Sequence, residues 1–244
     1  MRRSILAVLG GDVNISQLKE IYTKSGEPVV IAADKGLEAL DNAEIRPDIV
    51  MGDYDSVDKV VLDRYRDENT IFFDRVKDFT DGEAAITHAV NMIDHSEAEN
   101  AVDVSHDNTF NKDGSGEKDG HIIILGATGN RPDHMMANIS LLKIACDAGV
   151  LAEILDINSR IRLFRGPYEI PFTKAEENYD YISLIPLGDK AEGITIKGFK
   201  YNADDLNLYQ GSSRGISNEL VEEKGLISLQ AGYLLVIETG DGEI

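Results

Sequence analysis

The stretch VVIAADKG, residues 29–36, decides the fold of this chain. Its first five residues are apolar without a break, and an Asp, a Lys and a Gly follow at once. A continuous apolar run of this length is typical of a strand that is covered on both faces, as the strands of parallel sheets are. Because open α/β sheets build their sites at the carboxyl ends of their strands, we expect Asp34 and Lys35 to lie at such a site.

The same pattern recurs through the first two-thirds of the chain. Further continuous apolar runs are predicted as strands over residues 5–9, 49–51, 71–73, 122–125 and 152–155. Between them apolar residues recur at helical spacing, most clearly over 85–93 and 135–142. Strands that alternate with helices predict a doubly wound, mostly parallel α/β sheet domain over residues 1–157.

Beyond residue 157 the pattern changes to short β-rich runs at turn spacing. They cover residues 168–172, 181–186, 194–199, 226–229 and 233–237, and no long helix is evident. This pattern predicts a C-terminal antiparallel β-sandwich domain over residues 158–244. Residues 95–120, with seven acids against two lysines, are predicted to form a flexible acidic surface insertion in the first domain.

Composition bounds the class of protein. The chain has 244 residues, 42% of them hydrophobic, which is enough for a sizeable core. A formal net charge of −20 makes nucleic acid and anionic membranes unsuitable partners. The single cysteine, Cys146, excludes an intramolecular disulfide and a cysteine-based zinc site. No apolar run approaches the ~20 residues of a membrane span, and the apolar start ends at Gly10 without a cleavage site, so we predict a cytoplasmic protein.

Three acidic patches follow predicted strands, at residues 33–36, 52–56 and 78–81. Several carboxylates at one edge of a sheet repel each other unless a cation joins them, and Mg²⁺ prefers carboxylate and phosphate oxygens. Asp53 and Asp55 lie two residues apart, and in an extended segment such residues point to the same side, which predicts a Mg²⁺ clamp. A turn that uses the aspartates for its own hydrogen bonds is the alternative explanation.

Thr80 and Glu83 form the pattern of a capping box before an apolar helix. Asp81 then lies in the first turn, where the helix dipole favours a negative charge. The pattern is compatible with a purely structural cap, and also with groups that the helix start presents to a ligand.

The segment GATGNRPDH, residues 126–134, joins a predicted strand to a predicted helix. Such a turn offers backbone N–H groups to an anion. Arg131, His134 and Asn138 share one helix face, which is either solvated or a binding surface, and an Arg beside a glycine turn suits a phosphate. The chain has no Walker A pattern and no dinucleotide-binding fingerprint. Together with the acidic patches, this segment predicts a metal-assisted phosphoryl-type transfer from a nucleotide.

In their order and spacing, these motifs resemble the bacterial thiamine pyrophosphokinase (thiamine diphosphokinase) family along nearly the whole chain. The residues that carry the resemblance are Asp34-Lys35-Gly36, Pro47-Asp48, Gly52-Asp53-Tyr54-Asp55-Ser56, Lys77-Asp78-x-Thr80-Asp81, Gly126-Ala127-Thr128-Gly129-x-Arg131-x-Asp133-His134, Asn138 and Gly215-Ile216-Ser217-Asn218-Glu219. The acidic insertion over 95–120 departs from the family pattern, because it is longer than expected.

The resemblance implies transfer of the diphosphoryl group of ATP to the hydroxyl of thiamine, which gives thiamine diphosphate and AMP. It implies ATP as co-substrate, Mg²⁺ as cofactor and in-line attack on the β-phosphorus. The implied catalytic residues, of which the three aspartates are also the implied metal ligands, are Asp53, Asp55, Lys77, Thr80 and Asp81. The implied nucleotide-binding residues are Asp34, Lys35, Gly126, Thr128, Gly129, Arg131, Asp133, His134 and Asn138.

The resemblance also implies a homodimer with shared active sites, in which the β-sandwich domain binds thiamine and forms the dimer contact. Ser217 and Asn218 are then substrate-binding residues that face the aspartates of the partner subunit. From the residues alone, the segment over 215–219 shows no evident role within its own chain, and an ordinary turn before the strand at 226 is the alternative.

Two other classes of protein compete with this interpretation. A haloacid-dehalogenase-type phosphatase uses the first Asp of a strand-D-x-D segment as nucleophile, and residues 53–56 fit that pattern superficially. That class also needs a later Lys and an acidic pair after another strand of the sheet, whereas the late Gly240-Asp241 lies beyond the β domain. A non-catalytic nucleotide-binding module keeps the glycine turn without needing the carboxylates.

Overall fold

The computed structural model describes residues 3–53, 55, 57–65, 69–72, 78–100, 118–175 and 178–241. These residues form two compact units, one before and one after the junction between Ile157 and Asn158. The first unit alternates strands and helices in the order β1 (Arg3–Val8), α1 (Ile15–Lys24), β2 (Val29–Ala33), α2 (Gly36–Ala43), β3 (Ile49–Gly52), α3 (Lys59–Arg64), β4 (Asn69–Phe72), α4 (Asp81–Asn100), β5 (Gly120–Leu125), α5 (Pro132–Asp147) and β6 (Leu151–Asp156).

The six strands of the first unit form a parallel sheet in the order β4-β3-β2-β1-β5-β6. β1 lies between β2 and β5, with Ile5 opposite Val29 on one side and opposite Ile122 on the other. The chain therefore leaves β1 towards one edge of the sheet, and later returns to the other side of β1 at β5. The crevice outside the carboxyl ends of β1 and β5 is the switch point, where doubly wound sheets bind their ligands.

Helices cover both faces of this sheet. On one face, Leu6 of β1 packs in a cluster with Leu18 of α1 and Leu37 of α2. The preceding residue of β1, Ile5, points to the opposite face and is also fully buried. α4 packs against β1, β2 and β3 and buries Ile86 completely. The burial of both faces explains the continuous apolar runs, and the predicted doubly wound α/β domain is confirmed.

The second unit consists, within the described residues, of the strands β7 (Ser159–Arg165), β8 (Tyr168–Thr173), β9 (Tyr181–Lys197), β10 (Ala203–Tyr209), β11 (Lys224–Leu229) and β12 (Ala231–Thr239). The strands pair antiparallel in the order β7-β12-β9-β11-β8, and β10 also pairs with β9. Residues 181–186 and 191–192 of β9 pair with β12, and residues within 190–197 pair with β10 and β11. A strand shared in this way is typical of packed antiparallel sheets, and the predicted fold class is confirmed.

The structure also corrects details of the sequence-based prediction. The runs at 181–186 and 194–199 are not separate strands, because β9 continues from the first run through most of the second and ends at Lys197. β7 and β10 are absent from the prediction, because arginines interrupt the apolar pattern of β7 and acids interrupt that of β10. α4 continues to Asn100, six residues into the predicted insertion, while residues 101–117 lie outside the described part of the chain. None of the described helices is long and apolar enough to cross a membrane.

Candidate active site

A cavity of about 840 Å³ lies at the switch point of the first unit. Its walls are the loops after β1, β2 and β5, together with the starts of α2, α4 and α5. The volume falls within the range of ~300–1,000 Å³ that is typical of small-molecule sites. The sequence-predicted residues that line this cavity are Asp34, Lys35, Thr80, Asp81, Gly126, Thr128, Gly129, Arg131, His134 and Asn138.

The loops after β1 and β5 are joined by their backbones. The N–H of Gly11 donates to the carbonyl of Gly126 at 2.9 Å, and the N–H of Asp12 donates to that of Thr128 at 3.1 Å. A Cβ at position 11 would lie 2.1 Å from the Thr128 carbonyl oxygen, so this close approach requires glycine. The glycine turn after β5 is therefore held firmly against the loop after β1.

Two side chains support the glycine turn. Asn138 of α5 donates from Nδ2 to the carbonyl of Ala127 at 2.9 Å. The hydroxyl of Thr128 donates to Oδ2 of Asp156, at the end of β6, at 2.7 Å. Both predicted residues thus fix the shape of a turn whose backbone N–H groups suit an anion.

Arg131 stands just before α5 and is paired with Asp133. Its Nε donates to Oδ1 at 3.0 Å and its Nη2 to Oδ2 at 2.6 Å, a two-point contact between side chains that are 63% and 64% exposed. The hydrogen bond from Arg131 lowers the pKa of Asp133 well below its ordinary value, and the same bond raises the pKa of Arg131. Arg131 and His134 line the cavity, whereas Asp133 does not.

The start of α4 combines a helix cap with a position at the cavity. Oγ1 of Thr80 accepts from the N–H of Glu83 at 3.1 Å, which confirms the predicted cap. Thr80 and Asp81 also line the cavity. The start of α4 is therefore a helix cap and part of the cavity wall at the same time. A Cβ at Gly82 would lie 3.2 Å from Oδ1 of Asn138, so α4 and α5 approach each other closely at this point.

Acidic side chains approach the ends of β2 and β3. Asp34 follows β2 with a φ of 50°, a left-handed backbone that residues other than glycine adopt rarely. At the end of β3, a Cβ on Gly52 would lie 3.4 Å from the backbone N of Asp34 and 3.6 Å from Oδ1 of Asp81. The ends of β2 and β3 and the start of α4 therefore converge at one point.

Asp53 and Asp55 form a turn of their own. Oδ1 of Asp53 accepts from the N–H of Asp55 at 3.1 Å, and neither residue lines the cavity. Among the described residues, no group of three or more His, Cys, Asp or Glu side chains is arranged to hold a metal ion. The assignment of Asp53, Asp55 and Asp81 as metal ligands stays a prediction, and Lys77 lies outside the described residues.

The sequence motifs did not identify every residue at the cavity. Among the lining residues that they missed are Asp12, Glu38, Asn42 and Phe79. The loop that holds Asp12 carries no dinucleotide-binding fingerprint, so its place at the switch point follows only from the strand order. Glu38 and Asn42 lie one turn apart on α2, directly after Asp34. Their spacing of four residues puts them on the same helix face, and this was the one signal in the sequence that could have found them.

Asn218 is tied into its own chain. Its Oδ1 accepts from the N–H groups of Tyr201 and Glu219, both at 3.0 Å, and its Nδ2 donates to the carbonyl of Tyr201 at 2.9 Å. Its backbone forms an antiparallel bridge with Ile182. The expectation that the segment over 215–219 has no role within its own chain is therefore wrong, because Asn218 anchors the turn at Tyr201.

A smaller cavity of about 280 Å³ adjoins this segment of the second unit. Tyr201, Ile216 and Asn218 are among its lining residues, and Tyr201 and Ile216 are 63% and 43% exposed. Ser217 is exposed with a φ of 55°, and its N–H donates to Oγ of Ser183 at 3.0 Å. Substrate-binding roles for Ser217 and Asn218 stay predictions.

Fold and site together define a class of protein: a doubly wound α/β unit with a glycine turn and converging acids at its switch point, followed by an antiparallel β unit. Residues 22–150 match the family model of the thiamin pyrophosphokinase catalytic domain, and residues 167–234 match that of the thiamin pyrophosphokinase vitamin B1 binding domain. The chain belongs to the thiamin pyrophosphokinase family, and the prediction that it is an enzyme of that family is confirmed.

Individual relatives agree with this assignment over the whole chain. A thiamine pyrophosphokinase of Bacillus subtilis (strain 168) is 30% identical over 98% of this chain and 100% of its own length. The crystal structure of thiamine pyrophosphokinase from Bacillus subtilis matches with a TM-score of 0.75 at 26% identity, covering 98% of this chain and 100% of that chain. The thiamin pyrophosphokinase from Geobacillus thermodenitrificans matches with a TM-score of 0.72 at 25% identity, covering 98% and 99%.

Proposed function

We propose that this chain transfers the diphosphoryl group of ATP to the hydroxyl of thiamine, giving thiamine diphosphate and AMP. The observation that carries the proposal is the cavity of about 840 Å³ at the switch point, lined by the glycine turn, the start of α4 and several acids. Membership of the thiamin pyrophosphokinase family supports thiamine as the acceptor.

The charge of the cavity lining favours a nucleotide that arrives with a divalent cation. The lining holds four carboxylates against two permanent cations, namely Asp12, Asp34, Glu38 and Asp81 against Lys35 and Arg131. Such a wall repels a free polyphosphate, whereas a bound Mg²⁺ reduces that repulsion. The donor chemistry fits this ion, since carboxylate oxygens are its preferred protein ligands, and Asp53, Asp55 and Asp81 are the proposed ones.

The chain's own residues supply position and charge for the reaction. Backbone N–H groups of the turn at 126–130 and the guanidinium of Arg131 bind the nucleotide phosphates, and Thr80 and Lys77 contact the group in transit. Mg²⁺, when bound, supplies charge neutralisation on the phosphates.

The bond changes in the proposed reaction balance without a covalent enzyme intermediate. The thiamine hydroxyl oxygen forms a bond to the β-phosphorus, the bond from that phosphorus to the bridging oxygen of AMP breaks, and AMP leaves in line. The hydroxyl proton passes to a carboxylate of the group Asp53, Asp55 and Asp81. Alignment of the two substrates and stabilisation of developing charge then provide the rate enhancement.

We further propose a cytoplasmic homodimer in which the β unit of one subunit completes the thiamine pocket of the other. Ser217 and Asn218 are the proposed thiamine-facing residues. Because Asn218 uses three hydrogen bonds to hold its own chain, Ser217 is the more available of the two for a direct contact. A polar, uncharged side chain suits a cationic heterocycle, because it binds ring nitrogens without bringing a further charge out of water.

One assay tests the reaction. The protein is incubated with ATP, Mg²⁺ and thiamine, and the products are separated by chromatography. Equal amounts of AMP and thiamine diphosphate are expected, with AMP formation dependent on thiamine. Equal amounts of ADP and thiamine monophosphate would contradict the proposal, and nucleotide binding without AMP release would identify a non-catalytic binding module. The family comparison favours neither that module nor a phosphatase.

A further inference from the structure

Two acids one turn apart on α2 hold the two ends of α3. Oε1 of Glu38 accepts from the N–H of Asp58, the N-cap residue of α3, at 2.8 Å. Asp41 accepts from Nη1 of Arg64 at 2.9 and 2.6 Å and from the hydroxyl of Tyr65 at 3.0 Å, at the other end of that helix. Their spacing of three residues puts both acids on the same face of α2.

The two acids differ in what else they face. Glu38 lines the cavity at the switch point, whereas Asp41 does not. The N–H that Glu38 accepts belongs to the last residue of the β3–α3 loop, residues 53–58, which begins with Asp53 and also carries Asp55. Glu38 therefore joins the wall of the cavity to the loop that holds two proposed metal ligands.

The end of this loop is a fixed point of the structure. Oδ1 of Asp58 accepts from the N–H of Val60 at 2.7 Å and from that of Val61 at 3.3 Å, which caps α3. Val57 is buried in the same core cluster as Leu37 of α2. The hydrogen bond from Asp58 to Glu38 adds a polar contact to this apolar one, on the side of α2 that faces the cavity.

We propose that Glu38 is a positioning residue, which holds the β3–α3 loop and thereby fixes Asp53 and Asp55 relative to the cavity. The inference rests on the proposed function, which gives those two aspartates their chemical role. Holding the loop needs an acceptor oxygen at this place, which a neutral amide also supplies, whereas the negative charge of Glu38 acts through the cavity wall on the binding of ATP. Glutamine at position 38 should therefore still hold the loop, whereas alanine should not.

Amide hydrogen exchange of the full chain without ligands measures the hold on the loop. In Glu38→Ala the N–H of Asp58 loses its acceptor, so we expect its exchange to become at least ~10-fold faster. In Glu38→Gln the acceptor remains, so exchange should stay within about twofold of that of the original protein. Asp41→Ala is the matched control, because it removes the contact with Arg64 on the same face of α2. We expect this variant to have a lower Tm and an unchanged exchange rate at the N–H of Asp58.

Steady-state kinetics measure the consequence for the reaction. At saturating ATP we expect kcat to fall about tenfold in Glu38→Ala with little change in KM for thiamine, to be rescued in Glu38→Gln, and to be kept in Asp41→Ala. An equal loss of kcat in the Gln and Ala variants would show that the charge of Glu38 acts on the ligand, and would overturn the positioning role. Fast exchange of Asp58 in Glu38→Gln would overturn it too, even if the Ala variant fails to fold.

Failure of the proposed function gives a different result. If the unmodified protein forms no AMP from ATP and thiamine, the reaction is wrong, whereas the exchange of Asp58 still shows whether Glu38 holds the loop. If AMP and thiamine diphosphate are formed, but the N–H of Asp58 exchanges equally fast in the original protein and in all three variants, the proposed reaction is supported and the positioning role of Glu38 is wrong.

Discussion

A strained backbone occurs at single residues in each of the two units. Asp34 and Ser217, both predicted site residues, have left-handed φ values of 50° and 55°. This conformation costs a residue other than glycine about 1–2 kcal/mol, and it persists only where the surroundings hold it. The N–H of Asp34 donates to the carbonyl of Met51 at 3.0 Å, which anchors the turn after β2 to β3. The strained turn is what brings Asp34 to the cavity.

Substitution of Asp34 separates its backbone role from its chemical role. Asp34→Gly removes the carboxylate and relieves the strain, whereas Asp34→Ala removes the carboxylate and keeps the strain. We expect Asp34→Ala to be less stable than Asp34→Gly by about 1 kcal/mol in urea unfolding, and both variants to lose ATP affinity to the same extent. Equal unfolding midpoints would show that the left-handed turn carries no strain.

The carboxylates of Asp53 and Asp55 are expected to matter for turnover and little for stability. Asp53→Asn and Asp55→Asn should each lower kcat by at least ~10²-fold, because charge matching at a preorganised site is worth several kcal/mol. Far-UV circular dichroism should show an intact fold, and Asp204→Asn, at an exposed acid of β10, is the control with normal kcat. Near-normal turnover at saturating Mg²⁺ would show that the hydrogen bond from Asp55 to Asp53 marks a structural turn only.

The pair of Arg131 and Asp133 sets an expectation for pH. Asp133 has a lowered pKa in the folded chain because Arg131 donates to it. The carboxylate is therefore ionised and paired at every pH above the ordinary pKa of an aspartate, near ~4, and the pair is lost only as the pH falls towards the lowered pKa. Between pH 5 and 9, KM for ATP should therefore show no step caused by Asp133. Arg131→Ala should raise KM for ATP at least ~10-fold at every pH in that range, with KM for thiamine unchanged. A rise in both KM values would argue against a phosphate contact.

Among the elements, strands that are buried on both faces were predictable and strands with mixed surfaces were not. β2 has the predicted bounds, Val29–Ala33, because nothing polar interrupts its apolar run. β7 alternates arginines with apolar residues and so resembles a polar segment. The start of α1 also had a usable signal, since Asn14 caps the helix by accepting from the N–H of Gln17 at 2.9 Å, and Ile15, Leu18 and Ile21 follow at helical spacing.

Two of the three arginines of β7, Arg160 and Arg162, contact a carboxylate that is distant in sequence. Glu238 of β12 is fully buried, and it accepts from Nε and Nη2 of Arg160 at 2.5 and 2.7 Å and from Nη2 of Arg162 at 3.0 Å. Glu238 stands directly opposite Arg160 in the β7–β12 ladder. These two arginines interrupt the apolar pattern of the strand in the sequence, but in the paired sheet they form cross-strand contacts with an acid.

Removal of this buried carboxylate should be costly. Glu238→Gln removes the buried charge that Arg160 and Arg162 share, and we expect a loss of about 3 kcal/mol in the free energy of unfolding. Glu192→Gln is the matched control, because Glu192 pairs with Lys190 at 2.5 Å on the same unit but is 41% exposed, so its loss should cost under about 1 kcal/mol. Similar unfolding midpoints for the two variants would show that burial adds nothing to the pair.

For the whole molecule, the motifs predicted the site to the extent that it lies at strand ends. Asp34, Thr80 and the glycine turn at 126–130 all reach the cavity, because each follows a strand or opens a helix at the same edge of the sheet. Asp12 and Glu38 also reach it: only the strand order places Asp12 there, and for Glu38 the sequence offers only its four-residue spacing from Asn42. Contacts made within the second unit, such as those of Asn218, depend on pairing between distant segments, which no local pattern encodes.

A mixture of two inactive variants tests the shared sites of the proposed homodimer. Ile216→Arg places a cation beside the smaller cavity of the second unit, where Ile216 is 43% exposed, so the fold should tolerate it and cationic thiamine should be repelled. Asp53→Asn removes a carboxylate of the first unit. If each site draws on the first unit of one chain and the second unit of the other, a mixed dimer contains one site with both lesions and one with neither.

Equal amounts of the two variants, co-folded, should therefore recover about a quarter of the normal activity, because random pairing makes half of the dimers mixed and each of these has one intact site of two. Each variant refolded alone should stay inactive, and mixing after folding should recover activity only as fast as subunits exchange. If each site were built from one chain, every site in the mixture would carry a lesion and nothing would be recovered. That result, or full activity of a protein that light scattering shows to be a monomer, would mean that each active site is built from a single subunit. Ser217 and Asn218 would then not contribute to the thiamine pocket of a partner.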